Sequence, residues 1–213
     1  MTMSSKKTKQ RAAERAAKKK KLAKQLITAG ICVLVVAVAA LIIVKITEKQ
    51  YIADIDIKDY GTITVELDAN AAPKTVKNFV ELSESGFYDG LTFHRIMEGF
   101  MMQGGDPNGN GSGGSGKNIK GEFSANGVNN KLSHVRGTIS MARATPYDSA
   151  SSQFFIMQQD NTTLDGLYAA FGKVVSGMDV VDAICHDANP TDDNGTIPPS
   201  EQPVINSITI RTK

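Results

Sequence analysis

The chain is 213 residues long, 41% hydrophobic and 22% charged, with two Cys and no Trp. That composition excludes a disordered, collagenous or disulfide-stapled protein and leaves room for one sizeable domain with a short appendage. The net charge of +2 averages two opposed regions: residues 1–25 hold ten of the 24 basic and one of the 22 acidic residues, so 14 and 21 remain, about −7, for the rest.

The first element is that basic head, residues 1–25. It lacks aromatic residues for base stacking, so it is read as a topology determinant touching anionic lipid rather than as a nucleic-acid binder. Residues 26–44, LITAGICVLVVAVAALIIV, follow without a charge. As a helix they would span about 28 Å, close to the ~30 Å hydrocarbon core of a bilayer. With the cations concentrated before the span, the N-terminus is expected in the cytoplasm and the body outside. Ala37-Val38-Ala39 has the form of a signal-peptidase site, but the apolar run continues to Val44, which favours a retained single-span anchor in the cell membrane. A lipidated Cys32 fits poorly, since it lies early in the run and follows Ile31. Cys185, in the body, reads as a small core residue with no disulfide partner.

A linker is expected at 45–53 and the folded body at 54–213. Ile55 and Ile57, then Ile63, Val65 and Leu67 after Gly61, alternate as a hairpin of half-buried strands. Pro73 opens a helix whose Val76, Phe79 and Val80 share one face, and Gly86 closes it. Short apolar runs at 91–96, 138–141, 154–157 and 170–174 predict strands, 178–184 a second short helix, and 204–210 a final alternating strand. Many short strands and few helices suggest an antiparallel barrel or sandwich. Residues 108–117, nearly all Gly, Ser and Asn, predict a mobile connection, and the proline-bearing stretch 189–203 an irregular one.

Several motifs point nowhere. Gly109, Gly111 and Gly114 match G-x-G-x-x-G, and Gly116-Lys117 nearly completes a P-loop, but no helical pattern follows, and Asn118 stands where a magnesium-binding hydroxyl is needed. His94, His134 and His186 have no metal-ligand spacing, so no metal and no cofactor are expected. No G-x-S-x-G elbow occurs. Asp192 to Gly195 lacks the remaining ligand positions of a calcium loop, and Asn161-Thr162-Thr163 is a formal glycosylation sequon only.

The chemistry concentrates in Phe93-His94-Arg95-Ile96-Met97-Glu98-Gly99-Phe100-Met101-Met102-Gln103, followed by Gly104-Gly105-Asp106, and in Ser152-Gln153-Phe154-Phe155. One guanidinium, large apolar side chains and an amide, with no nucleophile beside them, suit a reaction that breaks no covalent bond. These blocks, with residues 137–142, Leu164-Asp165-Gly166 and residues 171–174, resemble the cyclophilin-type peptidyl-prolyl cis–trans isomerases, in a bacterial-like form, over residues 53–211.

The resemblance implies a mainly β fold, a closed eight-stranded antiparallel β-barrel capped by two helices, here preceded by a transmembrane helix. It implies Arg95 as the catalytic residue and Phe100, Met101, Phe155 and Leu164 as the proline pocket. Gln103 would hold the peptide backbone. Gly111, Ala142, Ala144 and Gln153 would form the neighbouring groove, with Arg143 where asparagine is frequent and Tyr168 where histidine is frequent. Thr163 replaces a tryptophan on which cyclosporin binding leans, so that binding is expected to be weak at most. The expected activity is prolyl isomerisation of unfolded or exported polypeptides by a monomer; the alternative is a proline-peptide binding module or holdase with little catalysis.

Overall fold

The structure, a computed structural model, describes residues 50–212. The basic head and the apolar run 26–44 lie outside them. Among the described residues no helix is long and apolar enough to cross a membrane.

Eight strands and two helices build the described chain: β1 (Tyr51–Ile57), β2 (Gly61–Leu67), α1 (Pro73–Glu84), β3 (Thr92–Met97), β4 (Met101–Asp106), β5 (Thr138–Met141), β6 (Phe154–Met157), β7 (Ala169–Ser176), α2 (Met178–Asp187) and β8 (Ile205–Thr212). They form one antiparallel sheet in the order β3-β4-β6-β5-β7-β2-β1-β8. The hairpin, both helices and five of the six further strands stand where the hydrophobic periodicity put them; the exception is β4. Its Met-Met-Gln-Gly-Gly-Asp shows no alternation, because both Met101 and Met102 are buried, one on each face.

One boundary and the closure of the sheet differ from expectation. β1 begins at Tyr51, so the last residues of the expected linker are strand; Ala53 is fully buried and pairs with both Val65 and Ile210. The sheet is curled, but its ladder is open where a closed barrel was expected. Among the described residues, edge strands β3 and β8 share no ladder; their seam is held by the Thr92–Val204 bridge just before β8, flanked by Phe93 N–H to Pro203 O, Ile205 N–H to Leu91 O and Gly90 N–H to Ile205 O. Pro203 has no N–H to extend that seam into a ladder. Register shifts between Asp56 and Ile57, Thr64 and Val65, and Ile139 and Ser140 add the local twist that curls the sheet.

Helix α1 lacks a side-chain cap of its own, since Ala72 precedes Pro73. The Glu122 carboxylate supplies it from another loop, accepting from Lys74 N at 3.1 Å and Thr75 N at 2.8 Å. The helix lays Phe79 against Tyr88, Phe154 and Phe171 at centroid distances of 5.3, 5.5 and 5.2 Å, closing the core over one face of the sheet. Cys185 is buried there, its thiol pushed up to about 12 by burial, as a small unreactive core group.

Candidate active site

Side chains alternate across a strand, so each strand under the core has a second face. On β6, Phe154 and Ile156 enter the main core, while Phe155 and Met157 emerge on the other side with Met101. Cross-strand register then aligns the site: Arg95 pairs with Gln103, Gln103 with Phe155, and Phe155 with Ser140. One row across β3, β4, β6 and β5 thus carries a cation, an amide, an aromatic ring and a hydroxyl. The row depends on Gly104 and Gly105. A Cβ on Gly104 would stand 2.7 Å from Thr92 O, and Gly105 has φ +79° with Ser152 O 2.8 Å from where its Cβ would lie.

Arg95, Phe100, Met101, Gln103, Ala142, Arg143, Phe155, Leu164 and Tyr168 surround a pocket of about 180 Å³. A groove of about 500 Å³ adjoins it through Gln103, Ala142 and Arg143, and adds Gly111, Ala144 and Gln153 to its walls. Every residue singled out for the site in the sequence therefore lines one of two contiguous cavities. Thr163, the residue before Leu164, is exposed on the short 3-10 turn Thr162–Leu164.

The Arg95 guanidinium is held but poorly satisfied. Nε donates to Asn194 O at 2.7 Å and Nη1 to Gln103 Oε1 at 3.3 Å. The remaining contacts are thioethers, Met101 Sδ at 3.9 Å from Nη1 and Met97 Sδ at 3.2 Å from Nη2, and sulfur is a weak acceptor. Burial lowers the Arg95 pKa, against the upward pull of Tyr168 and Asp192, yet a guanidinium remains protonated at neutral pH. The amide chain continues outward. Gln103 Nε2 donates to Gln153 Oε1 at 2.9 Å, and Gln153 Nε2 donates to Gly111 O and Gly113 O at 3.0 and 2.8 Å.

The glycine-rich loop expected to be mobile is tied down at both ends. Asp106 accepts from the N–H groups of Asn108, Asn110 and Gly111, and Ser151 Oγ accepts from Ser115 N. Burial alone would raise the Asp106 pKa, but the loop N–H groups hold it below the ordinary carboxylate value. No helix follows this loop: Ile119 instead bridges to Ala150, so the phosphate-binding reading has no helix N-terminus to work with.

Sequence reasoning missed the layer beneath Phe155. His134 is fully buried, its Nδ1 2.9 Å from Asp165 Oδ1 and its Nε2 3.0 Å from Ser140 Oγ. Its ring lies nearly parallel to Phe155 at 5.9 Å, and Tyr168 stands edge-on to both. The Ser–His–Asp contact order matches a hydrolase relay, but Ser140 is fully buried, so no substrate carbonyl reaches it. The contacts brace Phe155, and Asp165, next to Leu164, ties the pocket's far wall to the same histidine. No sequence pattern joins residues 134, 140 and 165; only the pairing of β5 with β6 and β7 does.

A cation over a small apolar pocket, continuous with a polar groove, is a site whose shape and chemistry suit an extended chain carrying a small apolar ring. The family model described as "Cyclophilin type peptidyl-prolyl cis-trans isomerase/CLD" matches residues 52–210. The chain belongs to the cyclophilin-type peptidyl-prolyl cis–trans isomerases, and prolyl isomerisation is its activity. Peptidyl-prolyl cis-trans isomerase B of Bacillus subtilis (strain 168) is 46% identical over 123 residues, 58% of this chain and 82% of that one. A peptidyl-prolyl cis-trans isomerase of Synechococcus elongatus is 49% identical over 113 residues, 53% of this chain and 73% of that one. The crystal structure of a Cryptosporidium parvum cyclophilin type isomerase in the presence of the dipeptide Ala-Pro has a TM-score of 0.66 at 32% identity, covering 76% of this chain and 99% of that one. Similar relatives also come from fungi such as Rhizopus delemar, so the similarity does not single out a bacterial type.

Proposed function

We propose that Arg95 catalyses rotation about X–Pro bonds of polypeptides outside the cytoplasmic membrane, on an enzyme anchored by residues 26–44. A peptide bond resists rotation by about 18–20 kcal/mol because nitrogen shares its lone pair with the carbonyl. At the twisted transition state that sharing is lost and the prolyl nitrogen becomes a hydrogen-bond acceptor. Arg95, held at Nε by Asn194 O, offers it the Nη N–H groups, which otherwise face only the Gln103 amide oxygen and two thioethers. Such a donor gains most when the lone pair appears, which is preferential binding of the transition state.

The pocket of Phe100, Met101, Phe155 and Leu164 takes the pyrrolidine ring and fixes one side of the bond. Gln103 steadies the backbone, and Gly111, Ala142, Ala144 and Gln153 accept the flanking residues. No proton is transferred and no cofactor takes part. The under-satisfied guanidinium at the pocket rim is the observation that carries this reading. In an NMR exchange or protease-coupled assay, Arg95→Ala is expected to slow isomerisation of an Ala-Pro peptide by about 10²-fold or more; equal rates for the two proteins would remove Arg95 from the mechanism.

Unaided X–Pro isomerisation takes tens to hundreds of seconds, long enough to limit folding after export. Tethering to the membrane would raise the enzyme's concentration where chains emerge. The charge asymmetry of residues 1–25 supports an N-terminus inside. Protease added to spheroplasts is expected to digest the isomerase domain and spare the lysine-rich head, and full protection of the domain would reverse the orientation. A monomer with weak cyclosporin binding completes the proposal, the latter because Thr163 offers no indole beside the pocket.

A further inference from the structure

We infer that Arg143 makes this isomerase selective for chains carrying a carboxylate next to the proline. The inference rests on reading the two cavities as proline pocket and peptide groove. Arg143 is the charged side chain common to both, and among the described residues no Asp or Glu lines either one. An extended peptide with its proline in the smaller pocket must pass Arg143 to reach the larger.

The guanidinium is fixed before any peptide arrives. Its carbon stands 4.8 Å from the ring centroid of Tyr168, 5.0 Å from Tyr147 and 5.2 Å from Phe123. Nε donates to Leu167 O at 3.0 Å, and Nη1 donates to Ala144 O and Thr145 O at 3.0 and 3.2 Å. These bonds use three of arginine's five N–H groups. Nη2 retains both of its own, with no protein acceptor among the described residues.

A cation braced by three rings and three carbonyls has little rotamer freedom left to lose on binding. A substrate carboxylate would meet two unspent N–H donors and a full positive charge. A substrate ammonium would meet a like charge that cannot swing away. Tyr168 also faces the proline pocket, so the same clamp couples the charge filter to the ring site. Arg143 is thus a specificity residue beside the catalytic Arg95, and acidic proline-flanking segments are its favoured substrates.

The test is kcat/KM by NMR exchange spectroscopy on peptides bearing Glu or Lys immediately before proline and immediately after it, with an Ala-Pro peptide as reference. Wild type should favour Glu over Lys by roughly three- to tenfold at one of the two positions. That ratio should shrink in about 0.5 M salt. Arg143→Gln should bring the ratio close to one, and Arg143→Lys should keep part of it. Lys58→Gln, which removes a cation from the β1–β2 turn, should leave it unaltered. A wild-type ratio near one at both positions overturns the inference, and so does an Arg143→Gln variant that slows every peptide equally, since that marks a purely structural clamp. Failure of wild type to isomerise even the Ala-Pro reference would instead strike the underlying reading of the cavities.

Discussion

Phe154 and Phe155 are neighbours on one strand and nearly equal in burial, at 0% and 5% exposed, yet they belong to different parts of the molecule. Phe154 sits edge-on to Phe79, Tyr88 and Phe93 in the main core. Phe155 lies over His134 and beside Tyr168 on the opposite face, with one edge open to the pocket. The inner face is closed mainly by apolar and aromatic side chains, with the Tyr88 hydroxyl satisfied by Ser152 O, while the outer face is braced by polar groups and includes a cation. Burial therefore does not tell a core ring from one that lines the pocket; the face of the strand does.

Truncating each ring in turn separates the two faces. Phe154→Ala should cost about 3–5 kcal/mol of stability, read as a lower urea midpoint, because three ring contacts leave a cavity that the sheet cannot collapse into. Phe155→Ala should lose less stability but lower kcat/KM toward prolyl peptides by about tenfold or more, since the ring's seat goes with it. If the two variants lose stability and activity in the same proportion, the two faces are not functionally distinct.

A finer test concerns the brace. Burial lowers the His134 pKa below its ordinary value of about 6.5, outweighing the upward pull of Asp165, so the folded protein keeps the ring neutral. The unfolded chain then takes up a proton first as the medium is acidified. His134 therefore contributes stability that is complete above about pH 6.5 and is lost as pH falls toward the depressed folded value. For Asp165 burial acts upward, but bonds from Ser133 and His134 hold its pKa down, so its contribution fades only at lower pH. Urea midpoints at about pH 7.5 and pH 5 should differ more for wild type than for His134→Gln; identical differences would mean the histidine is not held neutral.

The smallest effect belongs to the surface. Arg136 grips Asp182 of α2 through two bonds of 2.7 and 2.6 Å, both side chains about half exposed. Asp182→Asn should cost no more than about 1 kcal/mol and leave activity unaltered.

The outward row was largely legible in the sequence, because Phe93 to Gln103 and Gln153 to Phe155 hold the cation, amide and rings in short runs that a family signature captures. The hairpin and both helices were legible from periodicity. β4 was not, since a strand buried on both faces has no alternation to read. The open seam between β3 and β8 was not legible either; it depends on Pro203, which a linear reading assigns simply to a loop. His134, Ser140 and Asp165 meet only through strand pairing, and the clamp on Arg143 draws Phe123, Tyr147 and Tyr168 from three separate segments.

In the proposed mechanism Arg95 acts on the twisted amide rather than on the resting peptide. Binding and exchange of one Ala-Pro peptide, measured together by NMR on wild type and Arg95→Ala, test it directly. The exchange rate within the complex should fall by about 10²-fold while the dissociation constant changes by no more than about threefold. A parallel loss of affinity and rate would show that Arg95 merely holds the substrate, and would contradict the account.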